Sequence, residues 1–185
     1  MERTALVLLA EGFEEVEAVT PIDYLRRAGV AVTAAAVGES LAVKGARGIT
    51  VCADAALKDL RPDENLWDAI VLPGGMPGAQ NIAASRETCA LITRMAAAGK
   101  LVCAICASPA LALAPLGLLS GRKFTCYPGL EEKVSGGEWL AQPVVIDGNI
   151  VTSRGAGTSG LFSVAIISAL LGDAQGEKIA RAVLL

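Results

Sequence analysis

The chain contains no histidine. Whatever nucleophile it carries must therefore act without the usual imidazole base. A zinc site is disfavoured too, because there is no second C-x-x-C spacing to supply the missing ligands. Aromatic residues make up 4% of the sequence, so the core must be built from Ala, Val, Leu and Ile. No basic cluster stands out and the net charge is −3, which argues against nucleic acid as a partner. No stretch approaches the ~18 uncharged apolar residues of a membrane span. The apolar run Ala5–Ala10 is too short for a signal sequence, and Glu11, Glu14, Glu15 and Glu17 follow it at once. These absences predict a cytoplasmic protein that does not bind a membrane. The five cysteines are an odd number without secretory features, and they read as reduced thiols rather than a disulfide framework.

Hydrophobic residues supply 53% of the 185 positions, enough for a large core. There is no repeat, linker or low-complexity segment, so residues 1–185 read as one domain. Short apolar runs alternate with helical patterns. Strands are predicted at Ala5–Ala10, Val30–Val37, Asp68–Leu72 and Leu101–Ile105. Helices are predicted from about Glu15 to Ala28, over Glu87–Ala98 and Pro109–Leu119, and from about Ala174 to Val183. Leu41–Cys52 reads as a hairpin or excursion. Asp147-Gly148 is a hairpin turn between Val144–Asp147 and Asn149–Ser153. Ser159–Leu171 is apolar on every face and should be a buried helix. Continuous apolar strands alternating with helices predict an α/β fold with a mostly parallel sheet covered on both faces.

Ligands of such sheets bind outside the carboxyl ends of the strands. Three features converge there: Glu11–Glu17 after the first strand, Pro73-Gly74-Gly75 after the third, and Cys106 after the fourth. Cys106 lies between an apolar strand and a helix-like run, where free N–H groups and the macrodipole favour a thiolate. Ala107, Ser108 and Pro109 suit a tight elbow at that junction, against the bland reading of Cys106 as a small buried hydrophobe. Glu17 differs from its acidic neighbours if its face turns inward over the sheet end. A partly buried carboxyl would have a raised pKa and could exchange protons with the thiol. Gly74 and Gly75 let backbone N–H groups approach developing negative charge. Cys103 should be core, since three extended residues separate it from Cys106 by about 10 Å. Cys52, Cys89 and Cys126 are isolated. Gly155-Ala-Gly157-Thr-Ser-Gly160 matches G-x-G-x-x-G but lacks the following strand of a dinucleotide site, and reads as a turn capped by Thr158 or Ser159.

Four segments together resemble one family. Ala5-Leu-Val-Leu-Leu-Ala-Glu-Gly12-Phe-Glu-Glu-Val-Glu17, Val71-Leu-Pro-Gly-Gly75, Ala104-Ile-Cys106-Ala and Thr152-Ser-Arg-Gly155 stand in the order and spacing of the DJ-one (DJ-1) family of the ThiJ/PfpI superfamily. The resemblance implies a flavodoxin-like three-layer sandwich, usually homodimeric, with Cys106 as the reactive residue and Glu17 hydrogen-bonded to it. Gly74, Gly75 and Ala107 then supply site amides, with Tyr127 and Arg154 as further residues lining the site. Thr125-Cys126-Tyr127-Pro128 departs from members that carry a histidine before this proline. Tyrosine is a poor base at neutral pH, so a Cys-His peptidase is excluded, as are the related amidotransferase and hydrolase mechanisms. The resemblance implies a glyoxalase or deglycase acting on methylglyoxal-type dicarbonyls or glycated protein, without cofactor or metal. The alternative is a redox sensor or chaperone working through oxidation of Cys106 to sulfinate. A scaffold that binds another protein is the third reading.

Overall fold

A strand buried on both faces must be apolar at every position, whereas a half-solvated one alternates. In Thr4–Leu9 (β1), every residue from Ala5 onward is fully buried. A computed structural model describes residues 2–185 and shows how both faces are covered. The main sheet has seven strands in the order β10-β11-β7-β6-β1-β2-β5. They are β1, Ala31–Ala36 (β2), Ala55–Ala56 (β5), Ala69–Leu72 (β6), Leu101–Ile105 (β7), Val144–Asp147 (β10) and Ile150–Ser153 (β11). All pair in parallel except β10, which turns back on β11 through the predicted Asp147-Gly148 hairpin. Ala42–Lys44 (β3) and Thr50–Cys52 (β4) form a separate antiparallel hairpin, and Lys123–Phe124 (β8) pairs with Glu138–Trp139 (β9).

Alternate residues of β1 feed two cores. Ala5, Val7 and Leu9 pack with Ala18, Leu25, Phe162 and Ile166 under Glu15–Arg27 (α1) and Ser159–Leu171 (α4), with Ile179 from Asp173–Ala182 (α5). Leu6, Leu8 and Ala10 pack with Ile82 of Gly78–Ala84 (α2), Leu91 and Met95 of Arg86–Ala97 (α3), and Leu113. The result is the three-layer, flavodoxin-like sandwich expected from the sequence, and its core is aliphatic because so few aromatics exist to fill it.

The chain runs from β1 to β2 on one side and returns to β6 on the other. The crevice at the carboxyl ends of β1 and β6 is therefore the topological switch point of the sheet, where open α/β folds bind ligands. Cys106 follows β7, the next strand over.

Three expectations need correction. The predicted helix Pro109–Leu119 is a single π-helical turn, Pro109–Leu113, followed by a 3₁₀ turn over Ala114–Leu116 that ends at Gly117, φ 73°. Pro115 is the physical reason: it has no N–H, and its ring clashes with the carbonyl four residues back. α4 begins and ends where expected, but Leu161 and Leu171 are exposed, so one side is uncovered. Neither Thr158 nor Ser159 caps α4. The Thr158 hydroxyl turns back to Gly155, and Ser159 Oγ donates to the Ala156 carbonyl. No helix among the described residues is long and apolar enough to cross a membrane.

Candidate active site

Cys106 has φ 63°, in the left-handed region that a side chain adopts at a cost of about 1–3 kcal/mol. Its neighbours hold it there. The Cys106 N–H donates to the Ser153 carbonyl at 2.9 Å, and its own carbonyl accepts from the Tyr127 N–H at 2.8 Å. Buried Ser108 ties the next turn to the Pro73 carbonyl after β6. The elbow thereby points the thiol into the crevice instead of along the strand. Cys103 lies in the core, where burial pushes its thiol well up, so it has no part in the site.

Glu17 reaches the same point from α1 and is 1% exposed. Its Oε2 accepts from the Gly74 N–H at 2.8 Å, and the carboxyl shares a hydrogen bond with Cys106. Burial drives its pKa up to about 7; the bonds from Gly74 and Cys106 oppose that rise, and the charge of Glu14 adds to it. The Cys106 thiol is pushed up to about 12, first by burial and then by the Glu17 charge and hydrogen bond, against the N–H groups of Gly75 and Ala107. This overturns the expectation of a thiolate stabilised by a helix dipole, because the turn behind Cys106 is too short to carry one. The Gly75 and Ala107 amides take its place, and the charged Glu17 carboxylate works against them. Above about pH 7 the thiol and carboxyl together hold one proton. When that proton sits on Glu17, sulfur carries the charge and faces the Gly75 and Ala107 amides.

The glycine pair divides its work, contrary to the expectation that both amides line the anion site. The Gly74 N–H is occupied by Glu17, and Gly75 (φ 84°) turns the next N–H toward sulfur. A Cβ on Gly74 would lie 2.6 Å from Cys106 Cβ and 2.7 Å from Glu17 Oε2, so only glycine lets the three meet.

Outside the thiol lies an open cleft of about 540 Å³. Tyr127, half exposed, lines it, while its ring approaches Gly155. Arg154 is not among the lining residues; its charge acts on buried Cys126, and its N–H bonds the Pro143 carbonyl. Sequence reasoning missed Arg47, Leu111, Leu130 and Lys133 on the cleft wall. Arg47 sits on the β3–β4 tip, Leu111 in the π-helical turn after Cys106, and Leu130 and Lys133 on the turns after Tyr127, and no local pattern singles them out. Among the described residues no group of three or more Cys, Asp or Glu side chains is placed to hold a metal.

A sequence model of the DJ-1/PfpI family matches residues 3–169. Protein DJ-1 homolog B of Arabidopsis thaliana is 41% identical over 179 residues, covering 97% of this chain and 40% of that protein. The chain thus spans less than half the length of the two Arabidopsis relatives, the second at 45%. A Pyrococcus abyssi protein named a deglycase is 36% identical over 151 residues, covering 80% of this chain and 88% of that protein. The crystal structure of Drosophila melanogaster DJ-1beta superposes with a TM-score of 0.95 at 35% identity, over 100% of this chain and 99% of the other. An oxidized Toxoplasma gondii DJ-1 gives 0.94 at 37% identity, over 98% of each. With the family model matching most of its length and the same fold running end to end, the chain belongs to the DJ-1/PfpI family.

Proposed function

We propose that this protein is a cofactor-free, cysteine-dependent glyoxalase or deglycase acting on methylglyoxal-type dicarbonyls or their adducts. The observation that carries the reading is a Glu17 carboxyl buried to 1% exposure, fixed by the Gly74 N–H and hydrogen-bonded to the Cys106 thiol, with the Gly75 and Ala107 amides facing the sulfur. The Cys106 thiolate adds to the aldehyde carbon, forming the S–C bond, while the carbonyl oxygen takes the proton from Glu17. The product is a hemithioacetal and a Glu17 carboxylate. That carboxylate removes the hydrogen from the same carbon, the hydroxyl proton of the adduct passes to the neighbouring carbonyl oxygen, and Glu17 returns its proton to the neighbouring carbon, which converts the adduct to a hydroxyacyl thioester. Water then cleaves the thioester to the hydroxy acid and restores the thiol. Methylglyoxal plus water gives lactate, with no net oxidation. The Gly75 and Ala107 N–H groups hold the negative charge that develops on oxygen. A relative named a deglycase supports this class of substrate.

The test is turnover of methylglyoxal to lactate by wild type, Cys106→Ser and Glu17→Gln. Each variant should lose at least 100-fold in kcat/KM, the order expected when a nucleophile or a general acid–base is removed. Full activity in either would sink the mechanism. The reading takes the protein as a cytoplasmic homodimer whose five cysteines stay reduced.

A second reading is redox sensing. It is favoured by the oxidized state in which the Toxoplasma relative was solved. The amides and protonated Glu17 that steady an oxyanion would also hold a Cys106 sulfinate. Peptide mass spectrometry after mild peroxide should then show two oxygens gained selectively at Cys106; an inert Cys106 removes this reading.

A further inference from the structure

Glu15 is the one acidic residue at the start of α1 whose burial the chemistry above leaves unexplained. It is 5% exposed, and its Oε2 has no hydrogen-bond partner. A carboxylate in that position is expensive unless something depends on it. Its Oε1 accepts from the N–H groups of Arg47 at 2.8 Å and Ile49 at 3.1 Å, in the tip of the β3–β4 hairpin. Burial works against its charge, yet these amides, its own N–H and the Arg47 guanidinium hold the carboxyl below its usual range. Gly45 in the same tip packs against the carboxyl so closely that a Cβ there would overlap it.

The held tip carries Arg47, whose Nε lies 3.5 Å from Glu14 Oε2. Glu14 and Arg47 both line the cleft above Cys106. Glu14 is in turn wired to the reactive pair: its N–H donates to the Gly74 carbonyl at 3.0 Å, and the Gly74 N–H donates to Glu17. The groups facing Glu17 are Cys106 from the elbow after β7, Glu14 from its own helix start, and the Tyr127 ring beyond Gly155; Arg154 acts on Cys126 instead. Arg47 therefore supplies the cation that offsets Glu14.

We propose that Glu15 is a positioning residue: its buried carboxylate holds the hairpin tip so that Arg47 sits against Glu14 at the cleft mouth, and this cation sets the proton affinity of the Glu17–Cys106 pair. Without Arg47, the Glu14 charge acts on Glu17 unopposed and the pair holds its proton to higher pH. The inference rests on Cys106 and Glu17 being a reactive pair, but not on a dicarbonyl substrate.

The experiment is the pH dependence of Cys106 alkylation by iodoacetamide, followed by peptide mass spectrometry at low salt. It needs no turnover, so its failure is distinct from failure of the glyoxalase reading. Arg47→Gln should move the midpoint up by about half a pH unit, and high salt should shrink that shift. Glu15→Ala should give the same displacement, and adding Arg47→Gln to it should add nothing. Glu15→Gln keeps an acceptor oxygen and should stay near the wild-type midpoint. Gly45→Ala dislodges the carboxylate without removing its charge and should match Glu15→Ala, which covers the case in which the alanine variant does not fold. Glu14→Gln should lower the midpoint and abolish the effect of Arg47→Gln. A wild-type midpoint in Arg47→Gln, or shifts from Arg47 and the Glu15 latch that add, would overturn the proposal.

Discussion

At the scale of single residues, the site depends on what is missing at Gly74 as much as on what is present at Cys106. Gly74→Ala puts a methyl group 2.6 Å from Cys106 Cβ, against β6 and β7 backbones that cannot both yield. The expected outcome is loss of iodoacetamide reactivity and dicarbonyl turnover together, with about 2–4 kcal/mol lost in chemical denaturation. Retained reactivity would mean that Glu17 and Cys106 do not meet across this glycine. Cys106 and the glycine pair were legible in the sequence because each follows the end of an apolar strand, where a parallel sheet puts its ligands, and Glu17 because it stands in the first turn of the helix that follows such a strand. Which glycine amide serves which partner was not legible, since it depends on Gly75 adopting a positive φ and on Glu17 reaching Gly74 first. Arg47 was also out of reach, because its place in the cleft is set by Glu15 more than thirty positions away.

Elements were legible where hydrophobic periodicity ran long enough. β1, β6, β7, α1, α3 and α4 fall within a residue or two of their expected bounds. α2 was missed: Gly78–Ala84 is too short to show a period, and its first residue, Gly78, packs directly on the Phe13 backbone. The apolar segment after Cys106 has the composition of a helix, but Pro115 limits it to a π-helical turn and a 3₁₀ turn. The pairing of α4 with α5 gives an element-scale test. Buried Gly176 of α5 sits against Ser168 Oγ of α4, leaving no room for a Cβ. Gly176→Ala should cost about 1 kcal/mol despite alanine's better helix propensity. Ser168→Ala on its own should be nearly neutral, since it removes only the hydroxyl that faces Gly176. Combined, the two should restore or exceed wild-type stability, a favourable coupling of about 1 kcal/mol in a double-mutant cycle. Simple additivity would show that the helices are held apart by something else.

For the whole molecule, the buried carboxyl that equips the site also burdens the fold. Glu17 has its pKa raised from 4.5 to about 7. The folded state therefore binds its proton more tightly than the unfolded chain. That favours folding fully below pH 4.5, and the advantage disappears as pH rises through 7. Above pH 7 the folded protein carries a charge it would rather not bury, at a cost of about 3 kcal/mol. Asp68 works in the opposite sense: burial raises its pKa, but the Thr4 N–H, Lys100 and Arg3 outweigh that and bring it down to about 2. Its contribution is present above pH 3.8 and lost only below. Because Asp68 acts equally in wild type and in a Glu17 variant, it cancels from their difference. Glu17→Gln stays neutral at every pH, and its amide oxygen can still accept from the Gly74 N–H. Urea denaturation of the reduced proteins should therefore find the variant close to wild type at pH 4.5 and about 3 kcal/mol more stable at pH 8.5. A variant equal to or weaker than wild type at the higher pH would mean that Glu17 is not held against its own ionisation. The proton exchange proposed for catalysis would then lose its physical basis. A gain in stability that accompanies the loss of turnover is the expected signature of a site that the fold tolerates for what it does.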